Sequence, residues 1–296
     1  MEVPRGRRRN DKIKSVKHGI FFACEENVCE PFLRLVDFLF LCFYVFKIYL
    51  FPNLGSIGIK FERVYLIKTN IMCFSAGASF GAAAVLGGIG VLTLRKVCTR
   101  SQIMYASIPL LFAIQQVSEG LLWLSLSYSE YGPWQTPATY FFLFFAQFLW
   151  PIWIPGAILL MERNKNRKKI LWIPVIAGVI GSSILAYRMI FNAVYAQIED
   201  HHISYVIGST QLQMIISSIM YVIAILAPSF ISSARGIKAI AFLLVISLLA
   251  TKIMYEAYLI SVWCFFAATI SILIYRVLKL EQEEVYTAKS LQHRTD

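Results

Sequence analysis

The stretch Ala113–Trp123 reads AIQQVSEGLLW and sets two glutamines and a carboxylate among Leu, Ile and Val. At 100° per residue, Gln115, Gln116, Glu119 and Trp123 fall within roughly a quarter of a helix circumference. A carboxyl group flanked by amides can hold a cation, exchange a proton or bind a polar head group. An ionisable residue at membrane depth is a functional-site candidate by default. Two further polar residues lie in other apolar runs, Gln147 and Arg188. Gln147 is predicted to sit at the depth of Glu119 and to hydrogen-bond it, whether the acid is ionised or protonated. Arg188 is predicted near a span end, within reach of the same side of the molecule.

Such a face needs helices that hold it inside a bilayer. Hydrophobic residues make up 58% of the chain and charged residues 15%, with a mean hydropathy of +0.63. A soluble protein carries about a quarter charged residues. Seven apolar runs emerge, at 75–94, 103–126, 138–161, 170–191, 209–230, 237–254 and 257–278. Most reach the ~20 residues that cross the hydrocarbon core. The expected fold is all-α: a polytopic membrane helix bundle of seven core transmembrane helices, in the plasma membrane (the inner membrane of a bacterium).

Orientation follows from the loops. Arg95, Lys96 and Arg100 follow the first run, and Arg163, Lys165, Arg167, Lys168 and Lys169 follow the third. Arg235 and Lys238 flank the fifth loop, and Arg276 and Lys279 close the last run. The alternate loops hold only Glu130 in one case, and Glu199, Asp200, His201 and His202 in the other. The alternation predicts the start of the core outside and the C-terminus inside. The net charge of +11 therefore reads as inside loops and not as a nucleic-acid surface.

Residues 1–71 form a basic extension with one apolar segment, 31–51, interrupted by Arg34, Asp37 and Lys47. Three readings stand: an eighth helix, an interfacial amphipathic segment, or a native start at Met72. Residues 72–278 form the membrane domain, and 279–296 a polar cytoplasmic tail.

From Met72 the chain reads MCFSAGASFGAAAVLGGIGVLTLRKV, followed in order by IPLLFAIQQVSEGLLW, FLWPIWIP and SVWCFFAA. These motifs resemble a family of uncharacterised multi-pass membrane proteins, mostly bacterial, whose chains begin MCFSA. The resemblance covers about residues 72–278. It implies an architecture and a domain of unknown function, with no substrate or reaction attached.

Further polar residues gather toward the outer ends of the spans: Ser75, Ser79, Gln211, Gln213, Lys252, Glu256, Trp263 and Cys264. The expectation is a polar cavity open to the outer side, with Glu119 near its floor. Several chemistries lack their residues. The last span has no lysine for a retinal Schiff base, and His18, His201, His202 and His293 lie outside the spans. Intramembrane metal hydrolysis and Ser–His catalysis therefore have no base. No phosphate-binding Gly-rich loop precedes a helix, and no cofactor is expected.

The leading reading is an integral membrane protein that binds a small molecule, lipid or ion for transport or sensing. One alternative is an intramembrane lipid-modifying enzyme with Glu119 as acid or base. The other is a structural membrane protein, in which Glu119 pairs with Arg188 or Lys252.

Overall fold

In hydrocarbon, every backbone N–H and C=O must be paired within the protein, so a chain of this composition has to be helical. The structure, a computed structural model, describes residues 75–199, 202–254 and 256–283. The apolar segment 31–51, the start at Met72 and the tail past residue 283 lie outside the described residues. Among the described residues the protein is mostly helical, at 84%. Among the described residues, six helices are long and apolar enough to cross a membrane. They are Ala76–Arg95, Arg100–Ser127, Ser129–Met161, Lys165–Phe191, Gln211–Ile231 and Glu256–Glu283. The remaining run, Ile237–Met254, is a helix of 18 residues outside those six. The outward surface is apolar: Ile173, Ile190, Phe191, Leu212 and Ile253 are all more than 60% exposed.

The elements are α1 (Ala76–Arg95), α2 (Ile108–Ser127), α3 (Gln135–Leu143), α4 (Trp150–Met161) and α5 (Lys165–Phe191), then β1 (Val194–Glu199) and β2 (His202–Ile207), and finally α6 (Gln211–Ile231), α7 (Ile237–Met254) and α8 (Leu259–Ile270). A π-helical turn, Phe144–Leu149, joins α3 to α4. Ser75 caps α1 by accepting from the Ala78 N–H at 3.2 Å, and Pro109 opens α2 in its first turn, where the missing donor is harmless.

One short hairpin stands among the helices. Before α6, β1 and β2 pair antiparallel, from Val194 opposite Ile207 to Glu199 opposite His202. Ala196 and Ile203 are buried and pack with Leu122, Trp123 and Ala138. Gln135 Nε2 donates to Ala196 O at 3.4 Å. The hairpin folds back onto the bundle because its apolar side chains find a partner surface there, one end of α2 and α3.

Proline and glycine shape the middle of the bundle. Pro155 lacks the N–H that would pair with the Pro151 carbonyl inside α4. Gly178 of α5 comes so close to this carbonyl that an added Cβ would lie 1.8 Å from Pro151 O. Ser182, one turn on, donates to Phe148 O at 2.9 Å and ties α5 to the π-helical turn. Gly90 of α1 is equally constrained against the backbone of Leu110, at 2.7 Å. The glycines of α1 do not form one contact stripe, however, because Gly81 and Gly88 meet nothing within 4 Å.

At the end where Arg95, Arg163, Lys168 and Arg235 gather, a clasp of hydrogen bonds joins the loops. The buried Glu162 accepts from Ser233 N at 2.8 Å, from Ser233 Oγ at 2.5 Å and from Asn164 N at 2.9 Å. Arg167 Nη1 reaches the last carbonyls of α6, Ile231 O at 2.9 Å and Ser232 O at 3.1 Å. Arg163 pairs with Glu281 at 3.0 Å. Burial by itself would raise the Glu162 carboxyl, but the donors from Ser233, Asn164 and Ser232 outweigh it and hold it below the usual carboxylate range.

Gly178→Ala is expected to lose ~3 kcal/mol or more, since backbone has to move. Gly88→Ala should stay within about 1 kcal/mol, on the stabilising side. Thermal unfolding of the two variants in detergent compares them directly. A carboxyl with a lowered folded pKa stabilises the protein above its unfolded value, and that contribution is lost as pH falls through the folded value. The melting temperature should therefore drop between neutral pH and roughly pH 3, and Glu162→Gln should flatten that part of the profile.

Candidate functional site

Glu119 lies in α2 at 2% exposure, with Gln115 and Gln116 at 0%. The polar face read from the sequence therefore points into the bundle and away from lipid. Gln116 Nε2 donates to Glu119 Oε2 at 3.0 Å. Ser261 of α8 donates its hydroxyl to Glu119 Oε1 at 2.5 Å. Both carboxyl oxygens thus have a donor, one from the same helix and one from a helix 142 residues away along the chain. Gln115 Oε1 accepts from the indole of Trp150, at the start of α4, at 2.7 Å. The Trp150 ring stacks on Phe112 with centroids 4.0 Å apart. Ser118, between the two glutamines and the acid, turns its hydroxyl onto Gln115 O at 2.6 Å.

Two more groups complete the cluster. Cys264, one turn along α8 from Ser261, is a buried free thiol beside Gln115 and within electrostatic range of Glu119. Tyr205 descends from β2, stacks on Phe142 at 4.9 Å, and brings its phenol into electrostatic range of Glu119 and Cys264. The node is therefore assembled from α2, α4, α8 and β2. It is also under-satisfied: Gln116 Oε1 and Tyr205 OH are buried with no hydrogen-bond partner, and Gln115 Nε2 has only the Cys264 thiol beside it. An unpaired buried polar atom costs about 1–3 kcal/mol, and native proteins hold few of them.

Several sequence expectations are corrected here. Gln147 does not reach Glu119. It falls in the π-helical turn, which inserts an extra residue into the helical repeat and rotates the face, so that Trp150 meets the α2 glutamines in its place. Gln147 is half-buried and none of the described bonds to Glu119 comes from it. Trp123 is buried among the residues under the hairpin, with Leu122, Ala196 and Ile203. Arg188 is buried and donates from Nη2 to Ile207 O at 3.5 Å, while Lys252 pairs with Glu256 at the surface. Among the described residues, no lysine or arginine bonds Glu119, which removes the ion pair expected for a structural role.

The expected outward-facing polar cavity is corrected too. Part of its polar rim is made of caps, Ser75 on α1 and Gln213 in a capping box with Thr210, while Ser79, Trp263 and Cys264 are buried. The hairpin covers that side of Glu119. A partly open space lies on the other side of the node, toward the basic end. It is an apolar cavity of about 50 Å³ whose wall includes Trp150, Trp263, Cys264, Phe112, Ile240 and Ile274.

Ser261 and Tyr205 were missed by sequence reasoning. Ser261 lies in the SVWCFFAA motif, three residues before Cys264, but a lone serine in an apolar span carries no signal of its own. Tyr205 had one: VYAQIE and HISYVI are β-branched and aromatic runs on either side of a polar turn, which is the pattern of a hairpin.

Trp150→Phe, which leaves Gln115 Oε1 bare, should cost about 1–3 kcal/mol. Tyr205→Phe deletes a hydroxyl that has no partner, so it should be neutral within ~0.5 kcal/mol or stabilising. Unfolding of both variants in the same detergent measures the difference.

A comparison with protein-family models finds one match, over residues 72–289, to a family described as of unknown function. No curated protein matches the chain, and no solved structure does.

Proposed function

The chain belongs to the DUF6629 family of unknown function, and from that premise we propose that it is a ligand-binding membrane protein centred on Glu119, serving transport or sensing. Gln115 and Gln116 are its supporting groups, with Ser261 and Tyr205 added by the geometry. One observation carries the reading. A buried carboxyl group has no cation beside it among the described residues, and has amide and phenol atoms near it that lack partners. A purely structural cluster would be closed by its own hydrogen bonds. This one retains donors and an acceptor for a visitor, whether a small molecule, a lipid group or an ion.

In this reading Trp123 and Arg188 serve the hairpin that covers the site, Trp123 through the apolar contact and Arg188 through Ile207 O. Gln147 drops out of the first contacts. The alternation of basic loops supports seven spans with the hairpin outside and the C-terminus inside, in the plasma membrane. Side-specific labelling of Ser129→Cys against Lys168→Cys checks that orientation.

A second reading, an intramembrane enzyme acting on a lipid, is favoured by the short Ser261–Glu119 bond, in which the carboxyl is placed to take the hydroxyl proton. Complementation of a deletion strain separates the two. Glu119→Gln is nearly isosteric and should leave the folded protein intact by size-exclusion and unfolding, yet abolish function. Full function in Glu119→Gln would sink both readings. Ser261→Ala should leave partial function if the site only binds, and none if Ser261 reacts.

A further inference from the structure

Arg188 lies three residues before Phe191, the last residue of α5, or ~4.5 Å from that end of the helix. Its neighbours Ile190 and Phe191 are 73% and 68% exposed, so this end of α5 faces lipid where a spanning helix meets the head groups. An arginine at that level ordinarily snorkels, carrying its charge out to the boundary. Arg188 does the opposite, with only 8% of its surface exposed. Its Nη2 donates to Ile207 O at 3.5 Å, and its Nε–H is buried with no partner.

The guanidinium stays protonated, yet among the described residues no acid pairs with it. The ion pairs Arg163–Glu281 and Lys252–Glu256 are made elsewhere, and Glu119 is bonded by Gln116 and Ser261. Glu199 stands at the far end of the hairpin. Val194 pairs with Ile207 beside Arg188, whereas Glu199 pairs with His202, five residues or ~17 Å further along β1. The nearby polar groups are donors already spent on backbone, Asn192 Nδ2 on Arg188 O at 3.1 Å and Gly208 N–H on Ala193 O at 3.2 Å. Taking a charge out of water is offset only by a paired charge and full hydrogen bonding. One carbonyl at the limit of hydrogen-bond distance provides neither.

We propose that Arg188 binds a singly charged phosphoryl group, with Nε–H and Nη2 as two parallel donors. These nitrogens share one edge of the planar guanidinium, and a phosphate accepts from such an edge bidentately. The charge follows from the surroundings. Residues 194–217, which form the hairpin and the first turns of α6, hold no lysine or arginine, so a second negative charge would have no partner. The long bond to Ile207 O yields to the stronger acceptor. Such a group comes either from the phosphodiester of a lipid head group at this boundary or from free dihydrogen phosphate. The site is separate from the Glu119 node and stands on its own geometry.

The test uses the full chain in maltoside detergent, which carries no phosphate. Gln211→Cys, exposed and four residues past Ile207, carries an environment-sensitive dye, with Cys24, Cys29, Cys42, Cys73 and Cys98 replaced by Ser. The probe is dihexanoylphosphatidylglycerol below its micelle concentration, and the control is dihexanoylglycerol, which lacks the phosphate. A saturable dye response to the phospholipid, with the control weaker by about tenfold or more, is the expected result. Arg188→Gln should weaken the phospholipid about tenfold. Arg188→Lys keeps the charge but loses the parallel pair of donors, and should fall between wild type and Arg188→Gln. Lys168→Gln, at the basic end, should change nothing.

Equal response to the two probes, unchanged affinity in Arg188→Gln or Arg188→Lys, or equal weakening by Lys168→Gln overturns the proposal. Arg188→Lys carries the comparison if Arg188→Gln does not give a monodisperse protein. Inorganic phosphate then assigns the source. Displacement of the phospholipid by millimolar phosphate points to the free anion, and binding indifferent to phosphate points to the lipid head group.

Discussion

A carboxyl group inside an apolar bundle must have its oxygens hydrogen-bonded, and most of the central architecture answers that demand. Glu119 sits on α2 with no charge partner among the described residues. Gln116 supplies one donor from the same helix, and Ser261 supplies the other only because α8 is drawn against α2. Gln115, on the same face, ties α4 to α2 through Trp150. Tyr205 closes the hairpin side. Three helices and a strand are therefore held in register by a polar cluster that packing alone would not specify, since lipid and leucine are equally apolar.

The second constraint is the interrupted run Phe144–Met161. Pro151 and Pro155 remove two backbone donors, and the π-helical turn absorbs the disturbance upstream. Helix α5 packs closely against this break: Gly178 approaches Pro151 O, and Ser182 donates to Phe148 O. This break turns Trp150 toward Gln115 and so determines which aromatic side chain forms the boundary between the polar node and the apolar cavity. At the opposite end, Glu162 gathers the donors of Ser233 and Asn164. It holds the α4–α5 connection against the start of α7, so the cavity lies between two hydrogen-bonded ends.

What was legible in the chain follows from period and charge. The helical period of AIQQVSEGLLW placed Gln115, Gln116 and Glu119 on one face, and that face is buried. The apolar runs matched the helices closely, because twenty apolar residues in a bilayer have few other options. Gln147 failed as a partner because depth was counted along a regular helix, whereas the π-helical turn adds a residue and changes the facing side chain. Arg188 and Lys252 failed as ion-pair partners because a sequence gives depth without azimuth. The hairpin was overlooked because its polar turn, EDHH, outweighed the β-branched residues on either side of it.

The sequence by itself determined a helical protein with runs long and apolar enough to cross a membrane, and a carboxyl and two amides on one helical face, since hydrophobicity and the 3.6-residue period are local properties. Tertiary structure alone decided what that face meets. Ser261 lies 142 residues from Glu119, and Tyr205 arrives on a hairpin from outside the spans. Cys264 and Trp263 line a cavity that no single helix contains. Hydrogen-bond satisfaction in a low-dielectric interior is settled between elements, by the rotation of each helix about its axis, and that rotation is set by every neighbour at once.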